Sequence, residues 1–263
     1  HQFSTAQARQ PDNCGKCHLG PDHPQKEIYE ESKHGIAFKA YKDQMNLDSA
    51  KWVVGVDYTA APTCATCHMG ATRNQDSTHN VGERISWTNR PPVSVRPEVM
   101  DAKMGLASAE LKWDKRRENM QDVCAACHTE EYVNNFYIQY DSLIELYNNK
   151  YALPGKELMA AAKPLLKPAK FSNKVEWTWF ELWHHEGRRA RMAASMMAPD
   201  YTHWHGTYDL AKHWYTKFVP QLEDLIAKGN KAGGDKAKAA DALQKKLDEI
   251  LSNEDHKWYL GKK

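Results

Sequence analysis

The sequence predicts a mainly α-helical chain in two regions. Residues 1–128 hold repeated cysteine motifs, and residues 129–263 read as long helices. Three observations predict this. All six cysteines fall in three copies of one short pattern. The second half repeats apolar residues at helical spacing, and no series of alternating runs marks a large sheet. A chain of 263 residues suits one large domain or two small ones. Its 41% hydrophobic and 27% charged composition excludes disorder. No apolar run of about 18 residues marks a membrane span. With 36 basic against 34 acidic side chains, nothing points to a nucleic-acid platform.

The elements follow in chain order. Ile28–His34 is expected to be helical, with Gly35 near its stop. Lys51–Val56 suggests at most a brief strand. Turn formers cluster at Gly20-Pro21-Asp22-His23-Pro24 and at Asn89-Arg90-Pro91-Pro92. From Glu131 to Tyr147, Phe136, Tyr140, Ile144 and Tyr147 recur at helical spacing. Pro154-Gly155 is expected to break that helix, and Pro164 and Pro168 mark a second irregular patch. A long helix is expected over Asn173–Met197, ended by Pro199. Another runs from His203 to Lys228, kinked at Pro220. The last starts near Asp235 and carries Ala239, Leu243, Leu247, Ile250 and Leu251. Such long amphipathic helices call for a partner, so oligomerisation is expected.

The cysteine motifs are Cys14-Gly15-Lys16-Cys17-His18, Cys64-Ala65-Thr66-Cys67-His68 and Cys124-Ala125-Ala126-Cys127-His128. A disulfide scaffold does not require a histidine after every second cysteine. Zinc sites would each need a fourth ligand, and sharing ligands does not explain three identical spacings. Covalent haem c attachment explains all three: two thioethers anchor the ring, and the adjacent imidazole reaches the iron. Three covalent haems, with Cys14, Cys17, Cys64, Cys67, Cys124 and Cys127 as attachment points and His18, His68 and His128 as proximal ligands, are therefore expected. The fold class becomes a multihaem cytochrome c region followed by long C-terminal helices. Haems supply much of the core of such regions, so weak periodicity there is no surprise. Attachment of haem c also implies a periplasm or an equivalent compartment. The polar opening His1-Gln2-Phe3-Ser4 shows no signal peptide, so any targeting segment is taken as removed or upstream.

A low-spin haem needs a second strong axial ligand, commonly histidine. The candidates are His23, His34, His79 and His185, each of which also has the plain reading of a hydrogen-bonded side chain. His184 and His185 diverge on their helix, so one haem does not use both. His256 sits near an exposed C-terminus and is a poor candidate. The cluster Arg188-Arg189-Ala190-Arg191 reads either as a solvated face or as a neutraliser of haem propionates.

Longer motifs carry a resemblance. They are Met69–Gln75 after the second attachment site, Thr78–Trp87, Arg90-Pro91-Pro92, His184–Arg189 and Met196–Gly206. In these the chain resembles the C-terminal part of the hydroxylamine oxidoreductase family, octahaem cytochromes c that include hydrazine dehydrogenase-like members and reductive relatives. The resemblance implies a homotrimer with eight haems per complete subunit. It also implies a catalytic haem that lacks a distal protein ligand and, in oxidising members, is modified by a neighbouring subunit's tyrosine. Tyr201 resembles that tyrosine, and His1 is expected to be the surviving histidine of a catalytic Asp-His pair. Three motifs instead of eight make this chain look like the last three, electron-transferring haems. The catalytic haem motif is absent, so a missing N-terminal haem region or a complementary chain is implied. The activity so implied is oxidation of hydroxylamine or hydrazine at the modified haem, with electrons passed to an acceptor cytochrome c. Two alternatives stand beside it: a trihaem carrier without its own catalysis, and a nitrite or hydroxylamine reductase of the same family.

Overall fold

The computed structural model describes residues 3–262, so His1 lies outside the described residues. Two short helices open the chain, α1 (Thr5–Arg9) and α2 (Pro11–Gly15). The expected helix over 28–34 is two helices, α3 (Gln25–Glu31) and α4 (Lys33–Ala40). Ser32 makes the corner: its hydroxyl accepts from the Gly35 N–H and caps α4. Gly35 is therefore no stop. It lies inside α4, where a Cβ would come within 1.9 Å of the Tyr29 carbonyl oxygen. This tight corner places His34 in the first turn of α4.

Lys51–Val56 forms no strand. Only isolated bridges appear, Val53 with Ala71 and Val54 with Tyr58. After α5 (Cys64–His68) and α6 (Pro97–Lys103) comes a helix the pattern did not suggest, α7 (Trp113–Ala125). Its sequence is too polar to show a stripe, and side chains from outside hold it. Buried Asp101 accepts from the Trp113 N–H and pairs with Arg116 at 2.9 Å, while Arg117 pairs with Asp141 at 2.8 Å.

α8 (Glu130–Tyr147) matches its expected range. It does not stop at Pro154. A π-helical segment (Asn148–Ala152) leads directly into α9 (Leu153–Ala162). The wider turn shifts the hydrogen-bond register, and Pro154 falls in the first turn of the new α segment, where its missing N–H costs little. The same device absorbs Pro220. The next long helix is α10 (Lys174–Phe180), a π segment (Glu181–Glu186) and α11 (Gly187–Ser195). It starts at an Asn173–Glu176 capping box and stops before Pro199, as expected. Then follow α12 (Pro199–Tyr201), a π segment (Thr202–Tyr208), α13 (Asp209–His213), a π segment (Trp214–Phe218) and α14 (Val219–Ala232). Gly233 and Gly234, both at positive φ, turn the chain into α15 (Gly234–Leu251).

The largest core is built by α9, α10, α14, α15 and the π segments beside them, around Leu158, Trp214, Phe218, Leu222, Leu243 and Leu247. Thus α15 buries its stripe against its own chain, and that stripe alone does not demand a second subunit. The buried positions run Ala240, Leu243, Leu247, Ile250 and Leu251, with Ala239 at the edge. A smaller core around Tyr29, Met45, Trp52 and Tyr58 supports the attachment motifs. Two further clusters join the halves: Ile28 with Met192, Ala193, Ala198 and Tyr201, and Trp87 with Val133, Tyr137, Tyr140 and Ile144.

His256 is not exposed. It is fully buried, stacked on Trp214 with ring centroids 5.7 Å apart, and both ring nitrogens are used. Nδ1 meets the Tyr215 hydroxyl at 2.8 Å and Nε2 the Lys150 carbonyl at 2.9 Å. Burial lowers its pKa, so the folded state favours neutral imidazole. A depressed folded pKa contributes stability that is present above the unfolded value, about 6.5, and lost as pH falls through the folded one. Urea midpoints of the wild type should fall as pH drops below that value, and His256→Gln should flatten the slope. An equal slope in both proteins would show that His256 does not carry the effect.

Candidate haem attachment sites

Each motif occupies one tight helical turn. In the first, at the end of α2, the Cys17 and His18 N–H groups both donate to the Cys14 carbonyl, at 3.1 and 3.0 Å. The third repeats this after α7, where Cys127 and His128 donate to the Cys124 carbonyl at 3.1 and 3.0 Å. The second motif is the most supported. Thr63 and Thr66 form a reciprocal cap on α5, and the Tyr58 hydroxyl meets the Thr66 hydroxyl at 2.8 Å. The Tyr29 hydroxyl donates to the Pro62 carbonyl at 2.9 Å. All six thiols are unpaired, as thioether formation requires.

The motifs lie side by side in sequence order. α2 packs on α5, and α5 on α7. The neighbouring Cys14 thiol, together with burial, pushes Cys64 up. Burial and the neighbouring Cys124 push Cys67 up to about 12. Motif two is therefore central.

His34 lies beside His128, with ring centroids 6.1 Å apart. Two imidazoles on opposite sides of one metal, each with a nitrogen–metal distance of about 2 Å, place their centroids roughly 6 Å apart. Burial, then the neighbouring His128, lowers the His34 pKa, which favours the neutral, metal-binding form. Burial, then the nearby Arg84, lowers the His68 pKa, which likewise favours the neutral, metal-binding form. These donors fit covalent haem.

The other candidates are placed differently. His23 uses both nitrogens locally: Nδ1 meets Asp22 Oδ1 at 2.5 Å and Nε2 the Cys17 carbonyl at 3.1 Å. His79 is exposed on its loop. His185 is half-buried on the π segment, edge-on to Phe180 and His184, at 5.6 and 5.4 Å. Among the described residues, His34 is the candidate whose ring pairs with a motif imidazole, tilted to it at 48°. Tyr201 is 7% exposed, packed in its own chain and 4.6 Å from the His205 ring by centroids.

The arginine cluster is not simply a solvated face. It clasps the two turn-rich loops. Arg188 donates to Asp22 at 3.2 Å and to the Arg90 carbonyl at 2.8 Å, and Arg189 to the Pro21 carbonyl at 3.0 Å. Arg191 is fully buried over the Tyr147 ring and donates to the Pro91 carbonyl and the Ser94 hydroxyl. No spacing in the sequence marks Arg84 at the second motif or the Glu186–His213 ion pair, which joins residues far apart in the chain. Two lone charged residues in helical surroundings offer no spacing signal.

Residues 1–150 match the family model described as "Seven times multi-haem cytochrome CxxCH". The chain belongs to that family. As a multihaem cytochrome c, it has haem c as its type of cofactor. It is 33% identical over 149 residues to a probable nitrite reductase–hydroxylamine oxidoreductase fusion protein of Kuenenia stuttgartiensis. That stretch is 50% of this chain and 17% of the relative. A solved hypothetical multiheme protein superposes at a TM-score of 0.73 with 25% identity, over 89% of this chain and 58% of its own. The reducing HAO-like protein complex of Kuenenia stuttgartiensis superposes at 0.68 with 19% identity, over 90% and 59%. This cytochrome thus spans less than two thirds of each of these relatives. It is a multihaem protein with a mainly α fold, and no helix among the described residues is long and apolar enough to cross a membrane.

Proposed function

We propose that this cytochrome is the trihaem electron-transfer portion of an HAO-like oxidoreductase whose catalytic haem is held elsewhere in the complete protein. The observation that carries the reading is the row of three attachment motifs with His34 set against His128. Cys14, Cys17 and His18 would hold the first haem, Cys64, Cys67 and His68 the second, and Cys124, Cys127 and His128 the third. Haem supplies reversible one-electron chemistry, and the protein tunes it through axial ligation, burial and nearby charge. The missing haem region is supplied by an N-terminal extension or a complementary chain, within an assembly that includes further copies and an acceptor or donor cytochrome c. The substrate is a small nitrogen compound, and the site of action is the periplasm or its equivalent.

The reductive direction is the better supported. One similar complex is named for reduction, the fusion protein's name includes nitrite reductase beside hydroxylamine oxidoreductase, and Tyr201 is walled in by Ile28, Met192, Ala193 and Ala198 of its own chain. The oxidative alternative keeps Tyr201 as a cross-link to a neighbouring subunit's haem. Its support is the adjoining His203, Trp204, His205 and Tyr208, an exposed face suited to another subunit. One experiment tests both. Denaturing mass analysis of the haem-loaded protein should give the polypeptide plus three haems, and proteolysis should release the Tyr201 peptide unmodified. Fewer haems would overturn the electron-transfer reading. A haem peptide joined to Tyr201 would replace the reductive direction with the oxidative one.

A further inference from the structure

Arg84 is 2% exposed and closes the end of α5, the turn that carries the second motif. Its Nη1 donates to the carbonyls of Thr66 and Cys67, at 3.3 and 3.2 Å, and its Nη2 to the Gly70 carbonyl at 2.8 Å. A short helix leaves such carbonyls unpaired at its C-terminal end, where a cation is favoured. The Nε is buried without any partner. Every hydrogen bond that the guanidinium makes goes to a neutral carbonyl. Glu83 and Asp122 act on it only at longer range. Burial lowers the Arg84 pKa, yet a guanidinium stays charged in proteins. That charge reaches both Cys67 and His68.

Two arginines beside the other motifs are ion-paired instead. Arg117, near the third, forms a two-pronged pair with Asp141, both contacts at 2.8 Å. Arg188, near the first, is paired with Asp22 at 3.2 Å.

We propose that Arg84 raises the reduction potential of the haem attached at Cys64, Cys67 and His68, making the central site the one that holds an electron most strongly. The inference rests on the three-haem reading above. One electron converts ferric to ferrous iron and lowers the charge of the site by one. A fixed cation nearby, poorly screened by water, therefore favours the reduced form. The midpoint of the row becomes a reservoir, fed from one neighbour and drained to the other.

The test is a spectroscopic redox titration of the haem-loaded full chain, with dithionite as the reductant, on variants whose haem count is first verified by mass. In R84Q the highest-potential step should become about tenfold less favourable, equal to 59 mV for one electron, while the other two steps hold. R84K should keep most of the wild-type value, because it keeps the charge. E83Q should shift the same step upward, since the Glu83 side chain makes no hydrogen bond among the described residues and opposes Arg84 only by its charge. An unmoved step in haem-replete R84Q overturns the proposal, as does an equal shift in R84K and R84Q. If R84Q loses its haem, an unmoved step in E83Q overturns it instead. Absence of haem from the central motif of the wild type would defeat the functional reading itself. Three haems with no shift would defeat only the role of Arg84.

Discussion

Replacing His34 with alanine should turn one of three low-spin ferric haems high-spin. Its ring lies 6.1 Å from that of His128, the separation that a shared iron requires. The position is held from two sides, by the Ser32 cap that starts α4 and by Gly35, which allows α4 to approach Tyr29. Alanine keeps the helix and removes only the ligand. Low-temperature electron paramagnetic resonance should show the high-spin signal for one haem, with the other two unchanged. His34→Met should stay six-coordinate and raise the potential of that haem, since Met/His ligation does so in cytochromes c. A low-spin spectrum for all three haems in His34→Ala would remove His34 from the ligand set. His79→Ala and His185→Ala, examined in parallel, would then identify the ligand.

The largest loss of stability is expected at Arg191. Its Nε donates to the Gly187 carbonyl and its Nη1 to the Pro91 carbonyl and the Ser94 hydroxyl, at 2.7–2.9 Å. The guanidinium also lies 4.2 Å from the centroid of the Tyr147 ring. Alanine would leave buried acceptors without donors and a void over the ring. Together these cost about 3–5 kcal/mol. Arg189→Ala is the control, because it gives up a single exposed bond to Pro21 and should cost about 1 kcal/mol. Urea unfolding should separate the two clearly. An Arg191→Ala midpoint no lower than that of Arg189→Ala would mean that the clasp between loop and helix contributes nothing. Haem absorbance followed alongside helix content should then report whether the two regions unfold together.

Several features were legible because they are local. Three copies of one motif that use every cysteine specify attachment chemistry without any fold. The helices over Glu130–Tyr147 and Gly234–Leu251 show in their apolar spacing, and the helix expected from Asn173 does start there. Prolines were harder. Pro154 and Pro220 read as breaks, yet each follows a π segment that moves the clashing carbonyl out of register. A sequence shows the proline but not the wider turn before it. α7 was missed because its polar surface is held by Asp101 and Asp141, from elements outside it.

By itself, then, the sequence determined the three cysteine motifs, the helical character and the kinship with multihaem cytochromes c, since each is written in spacing along the chain. Only the tertiary structure decided the rest. It set His34 rather than His79 beside a motif imidazole, buried His256 instead of exposing it, turned the arginine cluster into a clasp and left Arg84 unpaired at the central motif. The physical reason is common to all four. A side chain's ligation, burial and charge balance depend on atoms brought to it from distant parts of the chain, and helical packing alone selects those atoms.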